Sequence, residues 1–118
     1  AMTLALIAAM HQELSAVLEL MPDERRERVA GREFWVGHLG GREVVAVLSG
    51  IGKVAAATTA TLAIHRFGAQ ALLFTGVAGG LGKGVRVGDL VVATELLQHD
   101  MDASPIFPRH ELPLYGLS

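Results

Sequence analysis

The sequence predicts an α/β fold of three layers, a mixed central sheet between helices, incomplete at its C-terminal end. Three observations carry this. Two short, almost wholly apolar runs, 3–9 and 71–75, have the make-up of strands buried on both faces. Two intervening stretches carry helical signals, and a Gly-Gly pair at 40–41 sits between two further strand-like runs.

In chain order, residues 3–9 form the first strand. His11 to Met21 follows with apolar residues at Leu14, Val17, Leu18 and Met21, the i, i+3, i+4, i+7 spacing of an amphipathic helix. Pro22 and the charged run Asp23 to Arg28 end it and read most simply as a solvated connection. Glu33 to Leu39 and Glu43 to Leu48 are strands of a hairpin closed by Gly40-Gly41. After the turn Ser49 to Gly52, an Ala-rich helix runs from Lys53 to Phe67 and stops at Gly68. Ala71 to Thr75 leads into a second Gly-rich turn, and Val85 to Asp89 leads into an expected strand, Leu90 to Leu96. The order is β-α-β-β-α-β-β. From Gln98 the periodicity dissolves, and Met101 to Ser118 brings no element that closes the fold. Long structureless tails are uncommon in compact domains unless functional or cut off from what they pack against. Residues 1–118 therefore read as a piece of something larger built on one α/β domain, and Ala1 before Met2 reads as a tag remnant.

Bulk properties narrow the function classes. A chain of 118 residues that is 51% hydrophobic can bury a real core and is not disordered. A net charge of −2 with five histidines leaves no electrostatic footprint for nucleic acid or an anionic membrane. Zero cysteines exclude disulfides, thiolate zinc sites and Cys nucleophiles, and fit a cytoplasmic protein. No apolar run reaches the roughly 18–20 residues of a membrane span, and the apolar start lacks the basic leader of a signal peptide.

Ligands of open α/β sheets bind at the carboxyl ends of strands, where loops converge and helices begin. Three segments fall at such ends: Met10 to Glu13, Ser49 to Lys53, and Thr75 to Gly80. Any one of them is most simply a tight turn. Three at one edge point to a small-molecule site.

Named motifs fit less well. Gly82-Lys83 suggests a phosphate-binding P-loop, but the first glycine of that motif falls on Val77 and Gly84 replaces the Ser/Thr that would hold Mg²⁺. Gly50 to Ala55 matches G-x-G-x-x-A between strand and helix, yet no acidic residue near position 70 could hold a ribose, which leaves a dinucleotide site a weak alternative. His99-Asp100-Met101-Asp102 is more simply a hydrogen-bonded turn than a metal site, since no second ligand cluster is visible. His38, His65 and His110 are isolated, and no Ser-His-Asp set can be assigned from spacing. Glu13, at the start of the first helix, has two readings. It complements the helix N-terminus, worth roughly 0.3–1 kcal/mol, or it orients and deprotonates a water at the sheet edge.

Four segments in order and spacing carry a family resemblance: Ala8 to Glu13, Ser49 to Ala57, Thr75 to Leu81, and Val87 to Val92. Together they resemble the N-terminal half of 5′-methylthioadenosine/S-adenosylhomocysteine nucleosidases, in the superfamily of purine nucleoside and uridine phosphorylases. The resemblance implies a phosphorylase/hydrolase-like fold and hydrolysis of the N-glycosidic bond of adenine thionucleosides. Glu13 matches the water-activating glutamate, and Met10, Ile51, Val77, Ala78 and Gly79 match positions around the ribose and base. The loop after residue 98 resembles a segment that crosses a homodimer interface, with Ala103, Ile106 and Pro113 as contacts to the neighbouring pocket. The family needs neither metal nor redox cofactor.

Phosphorylase relatives place an arginine just before the second Gly-rich turn and a Gly/Arg phosphate loop after the first strand. Phe74 and Met10 to Glu13 stand in those places, and an anionic Glu13 repels phosphate, so hydrolysis is the favoured reading over a purine or uridine phosphorylase. Val77 departs from the nucleosidase pattern, which carries a serine hydroxyl there. The family's ribose-binding glutamate and its purine-protonating aspartate lie in the second half, so residues 1–118 by themselves are expected not to turn over. A non-catalytic nucleoside-binding module is the alternative from a different class.

Overall fold

The computed structural model describes residues 2–96, 100 and 104–105. They divide into a first unit, Ala1–Gly79, and a second, Gly80–Ser118.

The first unit is built on strands β1 (Leu4–Ala8), β2 (Arg25–Val29), β3 (Arg32–Leu39), β4 (Arg42–Leu48) and β5 (Ala71–Thr75), with helices α1 (His11–Glu19) and α2 (Lys53–Phe67). Across the sheet the order is β2-β3-β4-β1-β5. β1 pairs in parallel with both β4 and β5, while β2, β3 and β4 form an antiparallel meander. The sheet is mixed, as expected.

Alternation along the central strands splits the core between two helices. Ala5, Ile7, Phe34, Val36, Val45 and Val47 face α2, which buries Ala63 against them. The Phe34 ring stacks on Phe67 at 4.6 Å between centroids, inside the range where aromatic pairs attract beyond simple burial. On the other face Leu6, Ala8, Val44 and Ala46 pack with Leu14 of α1 and with Met21. Each face of the sheet thus receives one helix, which makes the three layers.

Helix α1 ends at Glu19, two residues before the expected limit, although Met21 is wholly buried in the layer beneath it. α2 ends where expected, at Gly68 with φ +70°, whose N–H closes on Ile64 O at 3.1 Å. The β3–β4 hairpin turns on Gly40 and Gly41 with φ +58° and +79°, the two left-handed residues of a tight two-residue turn.

Two expectations need correction. The charged run is not only a connection, because Arg25–Val29 is an edge strand paired with β3. Its alternation is hidden by charge. Glu27 pairs with Arg66 of α2, and Arg26 lies 5.6 Å from the centre of the Trp35 ring and 3.5 Å from Glu33. Charged side chains suit an edge, where they discourage pairing with another chain. The preceding turn is also tied down: Asp23 accepts the His38 N–H at 3.0 Å and contacts the His38 ring nitrogen at 2.6 Å. That ring, followed by the backbone N–H, holds the Asp23 carboxyl below the usual carboxylate range.

The second correction concerns Leu90 to Leu96, which form no strand; Leu90, Val92 and Leu96 are exposed. An apolar β-branched run becomes a strand only when a neighbour offers backbone partners, and among the described residues none does. Within the second unit the described backbone instead makes turns: Asp89 accepts the Arg86 N–H at 2.9 Å through its side chain and returns its own N–H to Arg86 O at 3.1 Å.

Candidate functional site

Parallel pairing sets the geometry of the site. Ala8 stands opposite Leu48 on one side and Thr75 on the other, so β4, β1 and β5 end level and point the same way. The ladder continues one rung further on each side: Ser49 N–H donates to Ala8 O at 2.9 Å, and Ala9 N–H donates to Thr75 O at 3.0 Å. The three segments singled out in the sequence therefore leave the sheet side by side, with Met10 to Glu13 in the middle.

The turn after β4 is fixed from beneath. Thr59 of α2 is fully buried and its hydroxyl accepts from Arg32 Nε at 2.8 Å. That hydroxyl has one proton, shared between Ser49 O at 2.9 Å and Ala55 O at 2.8 Å. Gly50 has φ +83°, and a Cβ there would stand 2.9 Å from the Ala55 Cβ. The Gly-x-Gly-x-x-Ala spacing thus has a packing explanation, the seating of a turn on a helix. It leaves Ile51 fully exposed at the tip.

The middle segment starts α1 from Met10, in extended conformation, with no side chain capping the helix. Glu13 is the acidic residue of its first turn. Its half-buried carboxylate reaches across to β5, where Thr75 Oγ1 donates to Oε2 at 3.0 Å. Oε2 carries this bond, and Oε1 offers a further acceptor for a water.

After Thr75 the chain passes Gly76, where a Cβ would come within 3.2 Å of the Ala9 Cβ. Val77, Ala78 and Gly79 are all exposed, and Met10 is 42% exposed. The edge therefore sets an exposed apolar surface beside a half-buried carboxylate.

The structure brings Met10, Glu13, Ile51, Val77, Ala78 and Gly79 to one edge. Ala103, Ile106 and Pro113 lie outside the described residues, as do His99, Met101, Asp102 and His110. Sequence reasoning placed Thr75 at the head of the second Gly-rich turn without a role of its own, and missed Thr59 and Arg32 as site-building residues. Their signal was a polar residue ending an apolar strand and a threonine in an Ala-rich helix, both legible only once register and contacts are known. A neighbouring groove of about 630 Å³ runs between α1 and the β2–β3 hairpin, touching His11, Ser15, Leu18, Arg28, Trp35 and Gly50. It adjoins the edge without including Glu13. Among the described residues no three His, Asp or Glu side chains gather as metal ligands, and no helix is long and apolar enough to cross a membrane.

A family model described as "Phosphorylase superfamily" matches residues 3–117. The chain belongs to this superfamily. Within it, the chain is 43% identical over 103 residues to a 5′-methylthioadenosine/S-adenosylhomocysteine nucleosidase of Oceanobacillus iheyensis, covering 87% of the chain and 45% of that relative. Among solved structures of the superfamily, it superposes on the Colwellia psychrerythraea nucleosidase in complex with adenine, with a TM-score of 0.90 and 38% identity over 96% of this chain and 47% of that one. A futalosine hydrolase of Helicobacter pylori is also similar, with a TM-score of 0.92 and 35% identity, covering 99% of this chain and 53% of the other. The chain spans about half the length of the relatives it matches.

Proposed function

We propose that this chain is the N-terminal part of a nucleosidase that hydrolyses the N-glycosidic bond of adenine thionucleosides such as methylthioadenosine. One observation carries the reading: the Glu13 carboxylate stands at the level ends of three parallel strands, half-buried and held through one oxygen. The names of the similar proteins supply the substrate class; the residues supply the chemistry.

In this reading the sugar and base lie across Met10, Ile51, Val77, Ala78 and Gly79. Water accepts its orientation from Glu13 Oε1, loses a proton to it, and adds to the anomeric carbon as the bond to the base breaks. Apolar neighbours leave the carboxylate as the group to which a water is drawn, and general-base assistance of this kind contributes about 10²- to 10⁴-fold. The group that protonates the departing adenine belongs to the remainder of the protein. The reading also includes a cytoplasmic homodimer, in which Ala103, Ile106 and Pro113 reach the neighbouring pocket.

Phosphate dependence separates hydrolysis from phosphorolysis. The full-length protein is expected to release adenine and free methylthioribose at the same rate in phosphate-free and phosphate buffer. Release that requires phosphate and yields a sugar 1-phosphate would make the protein a phosphorylase.

A further inference from the structure

Val77 brings no hydroxyl to the second Gly-rich turn, yet a hydroxyl does meet the reacting carboxylate, from two residues earlier. We propose that Thr75 is the positioning residue of this site: it holds Glu13 Oε2 so that Oε1 faces the attacking water. The inference rests on the nucleosidase reading and adds to it a residue that acts through Glu13 without touching substrate.

A carboxylate only accepts hydrogen bonds, so across the 3.0 Å contact the proton must come from Thr75 Oγ1. A hydroxyl-to-carboxylate bond is charge-assisted and among the stronger ones available to a neutral donor. With its proton committed to Glu13, the hydroxyl is not a donor to water or substrate. Its own placement is doubly determined. Thr75 closes β5 in register with Ala8, and its carbonyl accepts the Ala9 N–H at 3.0 Å. Backbone and side chain of one residue therefore grip both ends of the segment running from Ala9 to Glu13. β-Branching restricts χ1, so the hydroxyl direction follows from the strand.

Met10 gives α1 no side-chain cap, and the Glu13 carboxylate takes its hydrogen bond from β5. A glutamate in a first helical turn has a freely rotating terminal torsion; tying one oxygen removes that freedom and aims the other. Preorganisation of this sort acts on the chemical step rather than on substrate affinity.

The test uses the full-length protein with methylthioadenosine, comparing wild type, Thr75→Val, Thr75→Ser, Thr75→Ala, Glu13→Gln and the double variant Glu13→Gln/Thr75→Val. Thr75→Val is expected to lower kcat about ten- to a hundred-fold with KM within about two-fold, since one bond to a charged group is lost. Thr75→Ser should recover most of the rate. Adding Thr75→Val to Glu13→Gln should cost nothing further, because the group it positions is gone. If Thr75→Val does not fold, the Ser/Ala contrast, one hydroxyl at equal backbone, carries the same test. Wild-type kcat in Thr75→Val or Thr75→Ala, or a full multiplicative loss in the double variant, overturns the positioning role while leaving Glu13 in place. Wild-type activity in Glu13→Gln overturns the underlying reading instead, and this proposal with it.

Discussion

The two Gly-rich turns leave the same edge of the same sheet but are held in opposite ways. The turn after β4 rests on buried side chains: Ser49 is 3% exposed, Thr59 is fully buried, and Arg32 reaches that hydroxyl from β3, the strand paired with β4. Among the described residues the turn after β5 is tied through the Thr75 side chain, and the tie runs to Glu13; past Gly76 the described residues are exposed. The lesson is a division of labour. Damage to the first turn should appear as lost stability, and damage to the second as lost chemistry.

The largest expected change in stability tests the first half of that contrast. Thr59→Val keeps volume but strands Arg32 Nε and the Ser49 carbonyl. It should lower the unfolding free energy by about 2–3 kcal/mol, read from the urea midpoint at unchanged slope. A loss below about 0.5 kcal/mol would mean that the network does not support the turn.

A matched pair of glycines sharpens the contrast next. Gly50→Ala puts a Cβ 2.9 Å from the Ala55 Cβ at φ +83°, and should cost about 2 kcal/mol. Gly79→Ala meets nothing within 4 Å and has no left-handed φ. It should cost less than about 0.5 kcal/mol while still slowing adenine release, because the new methyl lies on the proposed nucleoside surface. Equal stability losses at the two positions would erase the distinction between the turns.

How much of this was legible beforehand follows from range. Elements written in local periodicity were readable: both helices, the Gly40-Gly41 hairpin, and the apolar strands β1 and β5. β2 was not, since an edge strand of Arg and Glu carries its alternation in partners such as Trp35 and Arg66 rather than in hydropathy. Leu90 to Leu96 erred the other way, with the hydropathy of a strand and no partner among the described residues. At the site, glycines announced the turns and the position after a buried strand announced Glu13. The Thr75–Glu13 bond spans 62 residues of sequence and exists only because β1 and β5 pair in one particular register. A one-residue slip would turn Thr75 to the opposite face.

Glu13 as the base is what the chemistry of this site depends on most. The direct measurement is adenine release from methylthioadenosine by the full-length protein and its Glu13→Gln variant, with folding of both checked by thermal melting. A fall of about 10²- to 10⁴-fold in kcat with an unchanged melt is the predicted result. Adenine release by Glu13→Gln at the wild-type rate would contradict it.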